Sequence, residues 1–294
     1  MRIFVTGATG YIGSALVKEL IGAGYQVVGL ARSEESAHKL VAAGIEPHLG
    51  ALNDYDSLRR GAAASDGVIH LAYNHDFSAY ATAGETDRRA VEALGTALIG
   101  SNRPFVITSG ITVLTPGRVT HEGDAFDQNA ASAPRIPSEE VMERLASQGV
   151  RTSVVRLSPS VHGEGDYAFV PTLIGIARQK GVSAYVGEGT NRWPAIHRLD
   201  AVQLFRLALE KGTAGAKFHG VADEGVPVRD IAEVIGRHLH LPVVSKPVEE
   251  AADHFGWIST FQSVDCPASS ALTQEQLDPK PPFALGRPGA GALF

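Results

Sequence analysis

The residues able to do chemistry stand at the ends of short apolar runs. In "VTGATGYIGSALVKEL" (5–20), Gly7, Gly10 and Gly13 lie between a β-rich run and a stretch with apolar residues at helical spacing. A backbone that turns there and closely approaches a pyrophosphate needs glycine. The following helix offers free N–H groups and its positive dipole end to the same anion. The context, a first strand–helix junction, predicts a dinucleotide cradle in which Thr9, Tyr11 and Ile12 join the three glycines. Further on, "GLARSEES" puts Arg32 and Ser33 at the tip of the second β-rich run. A carboxylate at that place would hold both ribose hydroxyls of NAD, whereas a guanidinium pairs bidentately with a 2′-phosphate. NADP is therefore the expected cofactor and NAD the lesser one, with Glu34 and Glu35 beside Arg32 opposing that choice.

Other chemistries lack their residues. Among the 11 histidines, His238 and His240 are two apart and do not share a helix face. There is no His-Glu-x-x-His and a single cysteine, Cys266, so neither a metal site nor an internal disulfide is expected. No Gly-x-Ser-x-Gly elbow activates a serine nucleophile. The net charge of −6 comes without a basic cluster, and the aromatics form no stacking array, which argues against nucleic acid as a partner. No apolar run approaches the ~18 residues of a membrane span. The opening "MRIFVTG" is no signal peptide. A soluble cytoplasmic protein acting on a small molecule is the expectation.

These residues need a scaffold, and the pattern supplies one. β-rich runs at 2–7, 26–31, 48–52, 67–72, 104–110 and 152–158 alternate with helical stretches at 11–23, 86–100 and 138–148. Strands without period-2 alternation are buried on both faces, as in a parallel sheet between helices. A doubly wound, Rossmann-type α/β fold follows. After about residue 160 the rhythm loosens: a helix at 169–180, strands at 183–187 and 216–222, and a tail from 262 rich in Pro, Gly and Ser. The expected division is a dinucleotide-binding domain over 1–160, to which 190–222 returns, and a smaller substrate lobe over most of 161–294. Whether the tail "PKPPFALGRPGAGALF" closes over the site is left open.

With "TGATGYIG" opening the chain, the sequence resembles the short-chain dehydrogenase/reductase superfamily, on its extended and atypical side beside the nucleotide-sugar epimerases and dehydratases. "VIHLA" (68–72) is similar to the family's fourth strand, which implies that Leu71, Ala72 and Tyr73 lie along the cofactor, with Leu52 ahead of them. "VITSG" (106–110) is similar to the fifth strand, and Ser109 falls where the catalytic serine would be, next to Thr108. "RLSPSVHGEGD" (156–166) resembles the segment beside the nicotinamide, bringing in Leu157 and Ser160, with His162 where tyrosine is usual. "RWPAIHRLD" matches the substrate-lobe segment that ends in a helix-starting acid, here Asp200.

One part of the family pattern is missing. Between "TSG" and "RTSVVRLS" the family carries Tyr-x-x-x-Lys, and this chain has Arg135 and Glu139 at those positions. No other register restores the pair, because no lysine lies between Lys39 and Lys180 and no tyrosine between Tyr80 and Tyr167. Tyr55 and Arg59 have the spacing but sit in the wrong helix. A carboxylate at 139 is expected to disfavour a tyrosinate, and Arg135 holds its proton too tightly to be an acid. A substitute donor must come from another element. Tyr73 is the first choice by position and His162 the second, since imidazole titrates near neutrality; His75 and Tyr167 lie nearby in the chain. The expected activity is an NADP-dependent oxidoreductase acting on a carbonyl or hydroxyl of a small molecule. An epimerase, isomerase or dehydratase with retained cofactor is the alternative, as is a dinucleotide-binding redox regulator. The resemblance also implies a possible homodimer through the helices at 86–100 and 138–148.

Overall fold

The computed structural model describes residues 1–75 and 79–277. Six strands alternate with helices through the first half: β1 (Arg2–Thr6), β2 (Gln26–Ala31), β3 (Glu46–Leu49), β4 (Gly67–His70), β5 (Pro104–Gly110) and β6 (Arg151–Leu157). The intervening helices are α1 (Tyr11–Gly22), α2 (Glu34–Ala42), α3 (Tyr55–Ala63), α4 (Tyr80–Thr96) and α5 (Ile136–Ala146). The second half adds β7 (Ser160–His162), α6 (Phe169–Lys180), β8 (Ser183–Val186), β9 (Arg192–His197), α7 (Arg198–Lys211) and β10 (Ala216–Gly220). It closes with β11 (Asp223–Pro227), α8 (Val228–Leu239) and β12 (Val243–Lys246) before short helices.

Seven of these strands form one sheet in the order β10-β6-β5-β4-β1-β2-β3, every pair parallel. Chain order reverses at β1, which has β2 on one side and β4 on the other. That is where a doubly wound sheet opens a crevice at the carboxyl ends of its strands. The central strands β1, β2, β4 and β5 are largely apolar and buried, and both faces of the sheet are covered there. Val5, Ile69 and Val106 pack with Leu16 and Leu20 of α1 and Phe205 of α7. Phe4, Val68 and Phe105 pack with Leu58 of α3, Leu94 of α4 and Leu145 of α5. A third core belongs to the lobe built from the second half, with Trp193, Val170, Ile231 and Phe261. Ile111, two residues past Ser109, is part of it. The strand edge and the lobe are thus continuous.

Two boundaries differ from the sequence pattern for physical reasons. Helix α4 starts at Tyr80 rather than 86, running through Gly84. That glycine is a packing device: a Cβ there would meet the Pro134 carbonyl oxygen at 2.2 Å. Strand β3 covers 46–49 rather than 48–52, because it is the sheet's edge and ends in exposed Leu49. The outward faces of α4 and α5 are charged: Arg88 pairs with Glu85 and Glu92, and Arg144 with Glu92. No helix among the described residues is long and apolar enough to cross a membrane. The segment "PKPPFALGRPGAGALF" lies outside the described residues.

Candidate active site

The site begins where β1 ends. Gly7 turns the chain with φ of 72°, and a Cβ on it would meet the Ala72 nitrogen at 2.8 Å. Only glycine lets this loop lie against the end of β4. A Cβ on Gly13 would fall 1.9 Å from the Gly7 carbonyl oxygen, so α1 packs directly on its own loop. The Gly10 amide closes the turn onto that same oxygen at 2.9 Å. The product is a backbone cradle at a helix N-terminus, aimed at the strand reversal, which suits a pyrophosphate.

Around this cradle, buried polar atoms lack partners. The hydroxyl oxygens of Tyr11, Tyr73, Ser109 and Ser160 have no hydrogen bond among the described residues. They come from four chain segments, beyond β1, beyond β4, at the end of β5 and at the start of β7. Other buried polar atoms of the described residues also lack partners, Ser153 and Gln262 among them, but these four hydroxyls stand at or beyond the carboxyl ends of β1, β4, β5 and β6, where a doubly wound sheet takes its ligand. The residues fit a dinucleotide.

The tip of β2 carries the selective group. Arg32 is exposed and makes no hydrogen bond or ion pair among the described residues. The neighbouring Glu35 is held by Lys39 at 2.7 Å, so it does not neutralise Arg32. Ser33 is occupied differently: its oxygen accepts the Ser36 amide at 3.2 Å and caps α2. Of the other residues expected along the cofactor, Leu71 and Ile12 pack against the core on the α1 side and Leu52 against the opposite core. Leu157 is buried, Thr9 is exposed, and Thr108 donates its hydroxyl to the His70 carbonyl at 3.2 Å.

The helix start at α5 departs from the sequence expectation. Glu139 does not present a free carboxylate to the cleft. It is fully buried and salt-bridged to Arg156 of β6, with nitrogen–oxygen distances of 2.9 to 3.2 Å. The expected repulsion of a tyrosinate by Glu139 is corrected accordingly, because a guanidinium of opposite charge compensates it. Arg156 also donates to the Glu122 carbonyl at 3.2 Å. In the sheet, Arg156 is in register with Ser109 on one side and His219 on the other.

Arg135 takes the other direction. It ends the 3-10 turn Ala133–Arg135, and its guanidinium lies over the Tyr73 ring at 3.7 Å from the centroid. Burial pushes the Tyr73 phenol up from its ordinary value, while the Arg135 charge acts in the opposite sense. His75 meets the Tyr73 ring edge-on at 5.4 Å. Sequence reasoning did not join Arg135 to Tyr73.

His162 sits deeper. It is buried on β7 and faces His197 of β9 at 5.4 Å between ring centroids. Burial, and then the neighbouring His197, lowers its pKa from the usual imidazole value. Tyr167 is exposed and touches Tyr11 edge-on at 6.0 Å. Arg198 lies 4.8 Å above the Tyr11 ring.

A buried chain of side chains supports this edge. Thr6 accepts the Ala72 amide at 3.2 Å, which leaves its own hydrogen for His70 Nδ1 at 2.7 Å. His70 Nε2–H then donates to Asp87 of α4 at 3.0 Å, and Ser138 of α5 donates to the same carboxylate. The strand before the phosphate loop is thereby tied to the first turn of α5. Neither His70 nor Asp87 carries a motif that singles it out in the sequence.

The model of the NAD dependent epimerase/dehydratase family matches residues 3–221. The chain belongs to that family. It is 54% identical over 282 residues to an uncharacterized protein of Schizosaccharomyces pombe, covering 96% of this chain and 95% of that one. It is 32% identical over 238 residues to the 4-hydroxy-2-methyl-3-oxo-4-farnesyl-3,4-dihydroquinoline-1-oxide ketoreductase of Stigmatella aurantiaca, covering 78% and 70% of the two chains. Among solved structures it is similar to UDP-glucose 4-epimerase of Thermotoga maritima, with a TM-score of 0.73, 20% identity, and coverage of 94% and 92%. The last likeness concerns the fold.

Proposed function

We propose that the protein is an NADPH-dependent reductase of small-molecule carbonyl compounds. The coarser statement, an NAD(P)-dependent oxidoreductase, rests on the family and on the ketoreductase relative. The observation that carries the finer reading is the set of buried hydroxyls on Tyr11, Tyr73, Ser109 and Ser160 at the strand ends around the glycine cradle, without a hydrogen bond among the described residues. A bound reduced dinucleotide supplies a hydride. Gly7, Gly10 and the α1 N-terminus hold its pyrophosphate, and the exposed Arg32 guanidinium pairs with the 2′-phosphate that distinguishes NADPH. Ser109, 4% exposed and without a partner among the described residues, donates a hydrogen bond to the substrate carbonyl oxygen and draws charge from its carbon.

Following loss of the reduced-nicotinamide absorbance with a panel of aldehydes, ketones and enones tests the reading. Consumption with at least one of them, faster with NADPH than with NADH, is the expected result. Tight NADPH binding with no consumption across the panel would replace it by the redox-regulator reading.

A further inference from the structure

A carbonyl reductase must give the substrate oxygen a proton as hydride reaches its carbon, and this chain lacks the tyrosine–lysine pair that its sequence pattern leads one to expect. The fold fills the gap from two separate elements. Arg135 arrives at the start of α5 and lies 3.7 Å above the ring of Tyr73, which comes from the loop after β4. The Tyr73 hydroxyl is buried, and its neighbour on α4 is the Tyr80 side chain. Arg156, in register with Ser109, is engaged by Glu139 and by the Glu122 carbonyl.

Resting on the carbonyl-reductase reading, we propose that Tyr73 is the catalytic acid and Arg135 its positioning residue. The substrate carbon accepts hydride from a reduced nicotinamide dinucleotide and forms the new C–H bond. The carbonyl π pair moves onto oxygen, which takes the proton from Tyr73 Oη. The tyrosinate left behind is reprotonated by solvent, and the dinucleotide ends oxidised by the two electrons that the carbonyl gains.

Arg135 cannot be the acid itself, since a guanidinium keeps its proton throughout the working pH range. Laid on the ring face, it orients the phenol and favours the phenolate. Among the described residues, the groups facing Tyr73 are Arg135 from the turn before α5, Tyr80 and Asp87 from α4, and His75 from its own loop. Asp87 opposes ionisation of the phenol but is itself tied to His70 and Ser138. Arg135 is the cation among them. His162 serves this role less well: burial beside His197 keeps it neutral at neutral pH, and a neutral imidazole is a poor proton donor.

The test uses the full chain and the variants Tyr73→Phe, Arg135→Gln and Arg135→Lys. Tyr73→Phe should lower turnover of the best panel substrate by about 100-fold or more, with NADPH affinity changed by less than about fivefold. The alkaline limb of the rate–pH profile should move up by about one to three pH units in Arg135→Gln. Arg135→Lys should restore part of that shift. Independently of turnover, phenolate absorbance of NADP⁺-bound protein is titrated, and the Tyr73→Phe curve is subtracted to isolate Tyr73. That titration should also move up in Arg135→Gln. Turnover in Tyr73→Phe within about threefold of the starting protein overturns the acid assignment. Unmoved titrations in Arg135→Gln overturn the role of Arg135. A starting protein that consumes no NADPH contradicts the reductase reading itself, while the absorbance titration still decides whether Arg135 governs Tyr73.

Discussion

Glu139 and Arg156 are salt-bridged at 2.9 Å, and neither side chain is reached by solvent. The helix that would otherwise carry a catalytic lysine is thus pinned to β6 by a charge pair. Glu139→Ala leaves the Arg156 charge buried without its partner and should cost about 3–5 kcal/mol of stability. Replacing both residues by leucine or methionine should cost much less than the single change. Urea unfolding of the three proteins checks both statements. A single-variant loss below about 1 kcal/mol, as for a solvated pair, would mean that another group compensates Arg156.

Arg32 stands exposed at the tip of β2 without a partner among the described residues, beside a serine that is already used as a helix cap. Arg32→Ala should weaken NADPH binding about 10- to 100-fold, the worth of a charge-assisted contact of about 1.5–3 kcal/mol. NADH binding should change little. Fluorescence titration with both dinucleotides measures this, and equal losses for the two would remove Arg32 from the 2′-phosphate site.

Ser109 contributes a hydroxyl rather than a charge. Ser109→Ala should lower kcat by about 100-fold, in the range seen when a single oxyanion donor is removed. NADPH affinity should stay within about twofold. An unchanged rate would take Ser109 out of the reaction.

The central strands β1, β2, β4 and β5 were legible because they are buried on both faces, so their apolar runs are nearly unbroken, whereas the short, half-exposed strands β7, β11 and β12 carry no such run. β5 spans 104–110 and α6 spans 169–180, as the pattern indicates, and α6 stops at Gly181 in the left-handed conformation. The start of α4 was less legible, because Gly84 reads as a breaker and only its contact with Pro134 explains it. The candidate site was legible in its parts and not in its pairings. Glycines, Arg32, Ser109 and Tyr73 each sit at a strand end that periodicity can find. That Arg135 covers Tyr73, or that Arg156 neutralises Glu139, depends on how a helix is rotated against a sheet. One-dimensional spacing does not encode that rotation.

His219 gives the stability a defined pH dependence. It is fully buried on β10, its Nδ1 against the Ser269 carbonyl at 2.9 Å, and burial pushes its pKa down to about 4. An imidazole that is harder to protonate when folded means that the unfolded chain binds more protons as pH falls. The contribution is therefore complete above the ordinary imidazole pKa of 6.5 and is lost as pH drops from there toward about 4. Stability measured by denaturant across this window should decline, and His219→Asn should decline less steeply. A slope unchanged by that substitution would assign the acid sensitivity to other groups.

The most direct test follows the hydride. NADPH deuterated at the transferred position is mixed with the best carbonyl substrate, and the product is examined by mass spectrometry and NMR. One deuterium is expected on the former carbonyl carbon for each NADPH oxidised, with a solvent-derived proton on the oxygen. Deuterium retained in the dinucleotide, or a product formed without net oxidation of NADPH, would contradict it.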